Sequence, residues 1–257
     1  MTTQPTAKIL LDWQSLSSNV FGCQGIGLLA WDRQNLLEDF QPVLIQEMLI
    51  ASPTPTTNLN NPTKSTYTIL EEKNKKQVLH VGCGPYNPEL LPPELRSEDW
   101  QEIRLDINPE VQPDILGTIT DLGGVEDNSV DAVYSAHNLE HIYDYEVPLA
   151  FAEFKRVLKQ GGMVWLVVPD MQTAAEWVAR GDMDEEPLYI SSAGPVKAIW
   201  MFYGMGTTNP GMPYMAHKTG FTAMGLKRRL CEAGFTDMEV TRNFERFEVW
   251  AKGYKES

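Results

Sequence analysis

From Gln77 onward, short apolar runs alternate with stretches in which apolar residues recur every three to four positions. Val78–Val81 is a compact apolar run that ends in Gly82-Cys83-Gly84-Pro85. Glu102–Ile107 is a second strand candidate with Asp106 near its end, and Val130–Ser135 alternates apolar and polar residues after the turn signal Glu126-Asp127-Asn128-Ser129. Tyr145–Lys159 places Ala150, Phe154, Val157 and Leu158 on one helical face. Gly161-Gly162 predicts the stop of that helix, because glycine tolerates the left-handed cap conformation. Met163–Val168 is continuously apolar, as in a parallel strand buried on both faces.

The C-terminal pattern differs. Thr222 reads as an N-cap, with Phe221 and Leu226 placed for a hydrophobic staple, and the helix behind it ends at Gly234. Thr236–Thr241 and Arg246–Ala251 alternate with period two around Asn243, which predicts an antiparallel hairpin at the sheet edge. Strands alternating with helices predict an α/β fold: a doubly wound, mostly parallel sheet with right-handed crossovers and an antiparallel C-terminal hairpin.

The N-terminal quarter reads as three pieces. Residues 1–50 form an appendage with a helical spacing over Asn35–Ile50, and residues 51–66, rich in Pro, Thr and Asn, read as a linker or long loop. Residues 67–257 make up the main domain. No apolar run reaches the ~18 residues of a membrane span, and the first residues lack the pattern of a signal peptide.

Composition narrows the partners. The chain has 257 residues, 42% hydrophobic and 22% charged, which suits a globular protein, and a formal net charge of −14. So acidic a chain lacks the field that attracts nucleic acid or anionic lipid. The basic run Lys227-Arg228-Arg229 reads as a solvated helix face. Cys23, Cys83 and Cys231 show neither a disulfide framework nor a zinc spacing, so a reducing cytoplasm is the expected compartment.

A strand ending in Gly-x-Gly, followed by a strand ending in an acid, carries specific chemistry. Ligands of open α/β sheets bind beyond the carboxyl ends of strands, where strand order reverses. Glycine lets the backbone approach a ligand, and a carboxylate at the next strand end accepts both ribose hydroxyls. The bland alternatives are turn caps at Asp106 and Asp121. A second glycine-rich stretch, Val20–Gly27, has no such strand-then-acid context and reads as a loop.

The segments VLHVGCGPYNPELLPPEL, IRLDINPEVQPDILGTITDL and NSVDAVYSAHNLEHIYDYEVPLAFAEFKRVLKQGGMVWLVVPD resemble the class I S-adenosylmethionine-dependent methyltransferases, the type 11 group in particular. HKTGFTAMGLKRRLCEAGF is similar to that group's C-terminal pattern. The resemblance runs from Gln77 to Ala251, with a gap around Gly181–Pro213. It implies a seven-stranded Rossmann-like sheet, S-adenosylmethionine as cofactor and a small or medium-sized acceptor, with a saccharide-related one suggested by the sub-branch. It also implies that His80, Val81, Gly82, Cys83 and Gly84 wrap the methionine part. Asp106 would hold the ribose, Ile107 would pack on the adenine, Asp121 and Leu122 would sit at the adenine edge, and His137 would face the transferring methyl. The chain departs from the pattern at His80, where relatives carry an acid, and at Pro85-Tyr86, which replaces a further glycine. Dinucleotide binding is disfavoured because the full Gly-x-Gly-x-x-Gly is missing.

For proton removal from an acceptor, His141 and His217 are the candidate catalytic residues, since imidazole titrates near neutrality. Each also has a structural reading, His141 as a cap or core residue and His217 as an organiser of its loop. Asp170 reads first as an N-cap for a helix at Met171–Arg180. The aromatic and Met-rich segment Pro195–Tyr214 reads as a core-facing helix or as an acceptor-side lid. Two other function classes remain open. One is a non-catalytic S-adenosylmethionine-binding protein of the same fold. The other is a zinc hydrolase, because His137-Asn138-Leu139-Glu140-His141 spells His-x-x-Glu-His. The leading reading includes no metal site, and the sequence sets no oligomeric state.

Overall fold

The computed structural model describes residues 75–181, 187–191, 194–207, 211 and 213–257. The appendage, the linker and the Val20–Gly27 loop lie outside these residues. The main sheet has seven strands in the order β3-β2-β1-β4-β5-β9-β8. They are β1 (Lys76–Val81), β2 (Trp100–Asp106), β3 (Ile115–Leu116), β4 (Val130–Ala136), β5 (Leu158–Pro169), β8 (Phe235–Asn243) and β9 (Glu248–Lys255). A separate two-stranded sheet pairs β6 (Pro187–Ser191) with β7 (Gly194–Lys197). β1 to β5 pair in parallel, β9 runs antiparallel to β5, and β8 runs antiparallel to β9. The predicted hairpin therefore forms, but its second strand slots between β5 and β8, and only β8 lies at the edge.

Successive β-residues point to opposite faces, and the sheet has a core on each. On one face Leu79, Val81, Leu105, Val133 and Leu166 pack with Phe151 and Phe154 of α1 (Val147–Val157) and with Leu226 and Leu230 of α4 (Ala223–Glu232). On the other, Val78, Tyr134, Trp165 and Val167 pack with Leu91 and Leu95. Those two leucines belong to the β1–β2 connection, which contains 3₁₀ turns at Pro88–Leu90 and Pro93–Leu95 and no α-helix. Prolines at 85, 88, 92 and 93 account for this: each lacks an amide donor and disfavours helix in the residue before it.

The capping predictions hold with one shift. Thr222 Oγ1 accepts from Gly225 N, and Phe221 and Leu226 are buried in one cluster. Gly234 follows α4 with φ +79°. α1, however, stops at Val157, because Leu158 is already extended (φ −66°, ψ 136°) and opens β5. Gly161, at φ +73°, bends the start of that strand rather than capping the helix. Arg228 pairs loosely with Glu232 and Arg229 bonds Asp144 Oδ1, both at the surface, as a solvated face requires. Asp170 caps α2 (Met171–Ala179) by accepting from Gln172 N, and Arg242 Nε donates to its second oxygen. Cys83 is a free, buried thiol.

No described helix is long and apolar enough to cross a membrane. The small sheet, α2 and α3 (Ala198–Tyr203) share a third apolar cluster around Ala174, Met201 and Phe247. Within Pro195–Tyr214, then, Met201 is core, while Tyr203 and Tyr214 are exposed.

Candidate active site

Strand order reverses between β1 and β4, so the crevice for a ligand opens at their carboxyl ends. The chain leaves β1 through Gly82 (φ +69°) and Gly84 (φ +60°), a geometry that L side chains rarely adopt. The amides of Gly82 and Cys83 both donate to Leu105 O, at 2.8 and 3.2 Å, which ties the bend to the end of β2. Asp106 completes the tie: its Oδ2 accepts from Gly84 N at 2.9 Å and its Oδ1 from Asn108 N at 2.8 Å. The turn-capping alternative for Asp106 is therefore real, yet it leaves lone pairs on both oxygens.

What lies in front of this frame is informative. A Cβ built on Gly84 meets nothing within 4 Å, so the loop presents bare backbone to open space. A Cβ on Gly82 would meet Asn138 Nδ2 at 2.5 Å. That Nδ2 is itself buried without a hydrogen-bond partner. An orphaned donor over a glycine bend suits an oxygen-bearing ligand. Sequence reasoning missed Asn138, and only its place beside His137 could have signalled it. Ile107 is 67% exposed, as an apolar residue awaiting a flat ring would be.

Three of the anticipated cofactor residues are placed differently. His80 is buried, its Nδ1 lies 2.6 Å from Glu102 Oε1, and its ring leans on Tyr134. His80 is thus held by Glu102 of the neighbouring strand. Leu122 is core, 1% exposed, with its amide donating to Glu153 Oε2, so its side chain forms no ligand surface. Asp121 caps its own turn by accepting from Gly123 N and borders a cleft of about 520 Å³ with Thr120, Leu149, Glu153 and Arg156. Neither Asp106 nor the glycine bend borders that cleft. Cys83 is buried at the bend, and burial, with Asp106 and Glu102 adding to it against Arg104, pushes its thiol up to about 11.

His137 follows β4 with φ +50°. Its Nε2 lies 3.0 Å from Glu248 Oε1 and its Nδ1 3.6 Å from Glu140 Oε1. Burial works against its charge, but the two carboxylates prevail and raise its pKa to about 10. His137 is therefore an imidazolium at neutral pH, held by two acids, and Glu248 is a partner the sequence did not announce.

His141 and His217 do come together, with ring centroids 5.1 Å apart. His141 Nδ1 lies 3.1 Å from Ala216 O and His217 Nδ1 lies 3.0 Å from Met201 O. A carbonyl only accepts, so both Nδ1 atoms carry a proton. Burial lowers the His217 pKa, which favours its neutral state. The His137/His141 pair required by the hydrolase reading is not assembled: the segment is a 3₁₀ turn, Leu139–His141, and the His137 ring is committed to Glu140 and Glu248.

A glycine bend with bare backbone and a strand-end acid thus lie together at the carboxyl ends of β1 and β2, next to the point where strand order reverses. Residues 79–166 match the type 11 methyltransferase family, described as a methyltransferase domain. No curated protein matches the chain in sequence. Among solved structures it is similar to an S-adenosylmethionine-dependent methyltransferase of Thermotoga maritima at 14% identity, covering 71% of this chain and 83% of that one with a TM-score of 0.45. It is also similar to one from Archaeoglobus fulgidus at 15% identity, covering 71% and 87% with a TM-score of 0.45. Phosphoethanolamine N-methyltransferase 2 of Haemonchus contortus, in complex with S-adenosyl-L-methionine, matches at 13% identity, covering 73% of this chain and 50% of that one with a TM-score of 0.47.

Proposed function

We propose that this chain transfers the methyl group of S-adenosylmethionine to a small or medium-sized acceptor bound at the carboxyl end of β4. We further propose that Gly82, Gly84, Asp106, Ile107 and Asn138 hold the cofactor. The observation that carries the reading is the Asp106 carboxylate. It fixes the glycine bend to the end of β2 through Gly84 N, and its remaining lone pairs are available to a ribose diol. Gly82 O would accept from the ammonium, since the amides of the bend already serve Leu105 and Asp106. Asn138 Nδ2 would donate to a cofactor oxygen and end its isolation.

The cofactor supplies an activated methyl on a positively charged leaving group. The chain's own task is to place the acceptor in line with it and to keep water out. His137, being cationic, makes a poor neighbour for a sulfonium and a good one for the acids that hold it. His141 and His217, paired beyond β4, are the residues we place on the acceptor side.

Calorimetric titration of the full-length chain with S-adenosylmethionine and S-adenosylhomocysteine tests the proposal. One site per chain is expected for each ligand. A wild-type chain that binds neither would refute it.

A further inference from the structure

We infer that Glu140, His141 and His217 form a binding site for a divalent transition-metal ion such as zinc. The chain has four histidines. His80 is committed to Glu102, and the other three meet around Glu140. One ligand atom from each of Glu140, His141 and His217 lies within 4.8 Å of the other two.

Proximity alone would be weak, and three further features give it content. Glu140 is 1% exposed, and its Oε2 is buried with no hydrogen-bond partner. A buried carboxylate oxygen without a partner costs a few kcal/mol unless something else meets it, and a cation does. Both histidines donate Nδ1–H to backbone carbonyls. That is the arrangement by which a protein fixes the tautomer and turns Nε2 toward a metal. The remaining Glu140 oxygen faces His137, which is anchored on Glu248, which in turn accepts from Trp250 Nε1 at 2.7 Å. The ligating carboxylate is thus oriented from behind.

The backbone is shaped to the same end. Lys218 N and Thr219 N both donate to Glu140 O, at 2.7 and 3.3 Å, which joins the two halves of the site. A Cβ on Gly204 (φ +74°) would meet His217 Cδ2 at 2.7 Å, so glycine there makes room for the ring.

Two imidazoles and one carboxylate, with no sulfur, suit zinc, iron(II), cobalt(II) or manganese(II) rather than a soft ion. Such an ion binds at about 2.0–2.2 Å and sets its ligand atoms roughly 3.4 Å apart, so side-chain closure of about 1 Å completes the shell. Three protein ligands leave at least one position for water or an oxygen ligand. The inference does not depend on the proposed methyl transfer.

The test uses metal-stripped full-length protein. Calorimetric titration with zinc is expected to give one ion per chain with a dissociation constant of micromolar or below. Cobalt(II) is expected to give visible d–d absorption without a thiolate charge-transfer band. Glu140→Gln and His217→Ala should each weaken zinc at least tenfold, with near-ultraviolet circular dichroism reporting whether each has folded. A wild-type chain that takes up no ion overturns the inference, whatever the variants do. So does a folded variant with unchanged affinity. S-adenosylmethionine titrated into the same samples separates the two questions: its failure to bind wild type would sink the methyltransferase site and leave the metal result standing.

Discussion

The two halves of the crevice are built on opposite principles. At the ends of β1 and β2 the working surface is backbone: a glycine bend tied to Leu105 O and Asp106, with open space in front of Gly84. Beyond β4 the working surface is side chain: His137 between two glutamates, and His141 against His217. A backbone surface can come from one short segment, because a bend is local. A side-chain cluster draws on residues 137–141, 217 and 248, brought together only when β9 pairs with β5 and the 217–219 loop docks on Glu140. The first surface suits a cofactor whose shape never changes. The second suits whatever the chain has come to act on.

The largest effect expected from separating the halves is at Asp106. Asp106→Ala removes two charge-assisted acceptors from the ribose and the anchor of Gly84 N. Each such bond is worth about 1.5–3 kcal/mol, or about 3–6 kcal/mol for the pair, so S-adenosylmethionine affinity should fall at least 100-fold by calorimetry. Zinc binding by the same variant should not move. If cofactor affinity survives, the ribose assignment is wrong.

Next in size is the chemistry of Cys83. With its thiol pushed up to about 11 by burial, only about one molecule in a thousand is thiolate at pH 8, against about one in ten for a thiol at the ordinary value of 9.0. Native Cys83 should therefore react with a disulfide reagent at least 100-fold more slowly than in denaturant, and its rate should climb tenfold per pH unit through pH 10. Fast labelling at pH 7 would show that the bend is open or charged.

The contrast between the halves also explains what the sequence disclosed. Val78–Gly84 and Asp106 were legible because strand, bend and strand-end acid are local patterns with fixed consequences. The helix behind Thr222 was legible for the same reason. The surroundings of Leu122 and Asp121 were not legible, because position in a motif does not say which way a side chain points. Leu122 lies in the core, and Asp121 Oδ1 caps the turn at Gly123. The partner of His80 was not legible, because Glu102 sits on the neighbouring strand. The pairing of His141 with His217 could be suspected only as two separate candidates. Their meeting depends on Gly204 and Ala216, which pair in an isolated bridge. The His-x-x-Glu-His spelling names Glu140 and His141 but could not name His217, which is distant in sequence.

Gly82 and Asn138 are where the two halves touch. Gly82→Ala would place a Cβ 2.5 Å from Asn138 Nδ2 and force alanine to φ +69°. We expect a loss of about 2 kcal/mol, made up of roughly 1 kcal/mol of backbone strain and the remainder from the clash. Chemical denaturation measures it.

Asn138→Ala alone should be nearly neutral for stability, because it removes a buried donor that has no partner in the protein. Its cost should fall on the cofactor, about 5- to 10-fold in S-adenosylmethionine affinity, as for one neutral hydrogen bond. The double variant then separates strain from collision. Truncating Asn138 removes Nδ2 and Cγ, the atoms at 2.5 and 2.6 Å, and leaves Cβ at 3.0 Å. About half of the Gly82→Ala loss should therefore return, a coupling of roughly 1 kcal/mol, while the backbone share stays. Strict additivity would mean that the two residues do not meet, and that the join between the backbone-built and side-chain-built halves lies elsewhere.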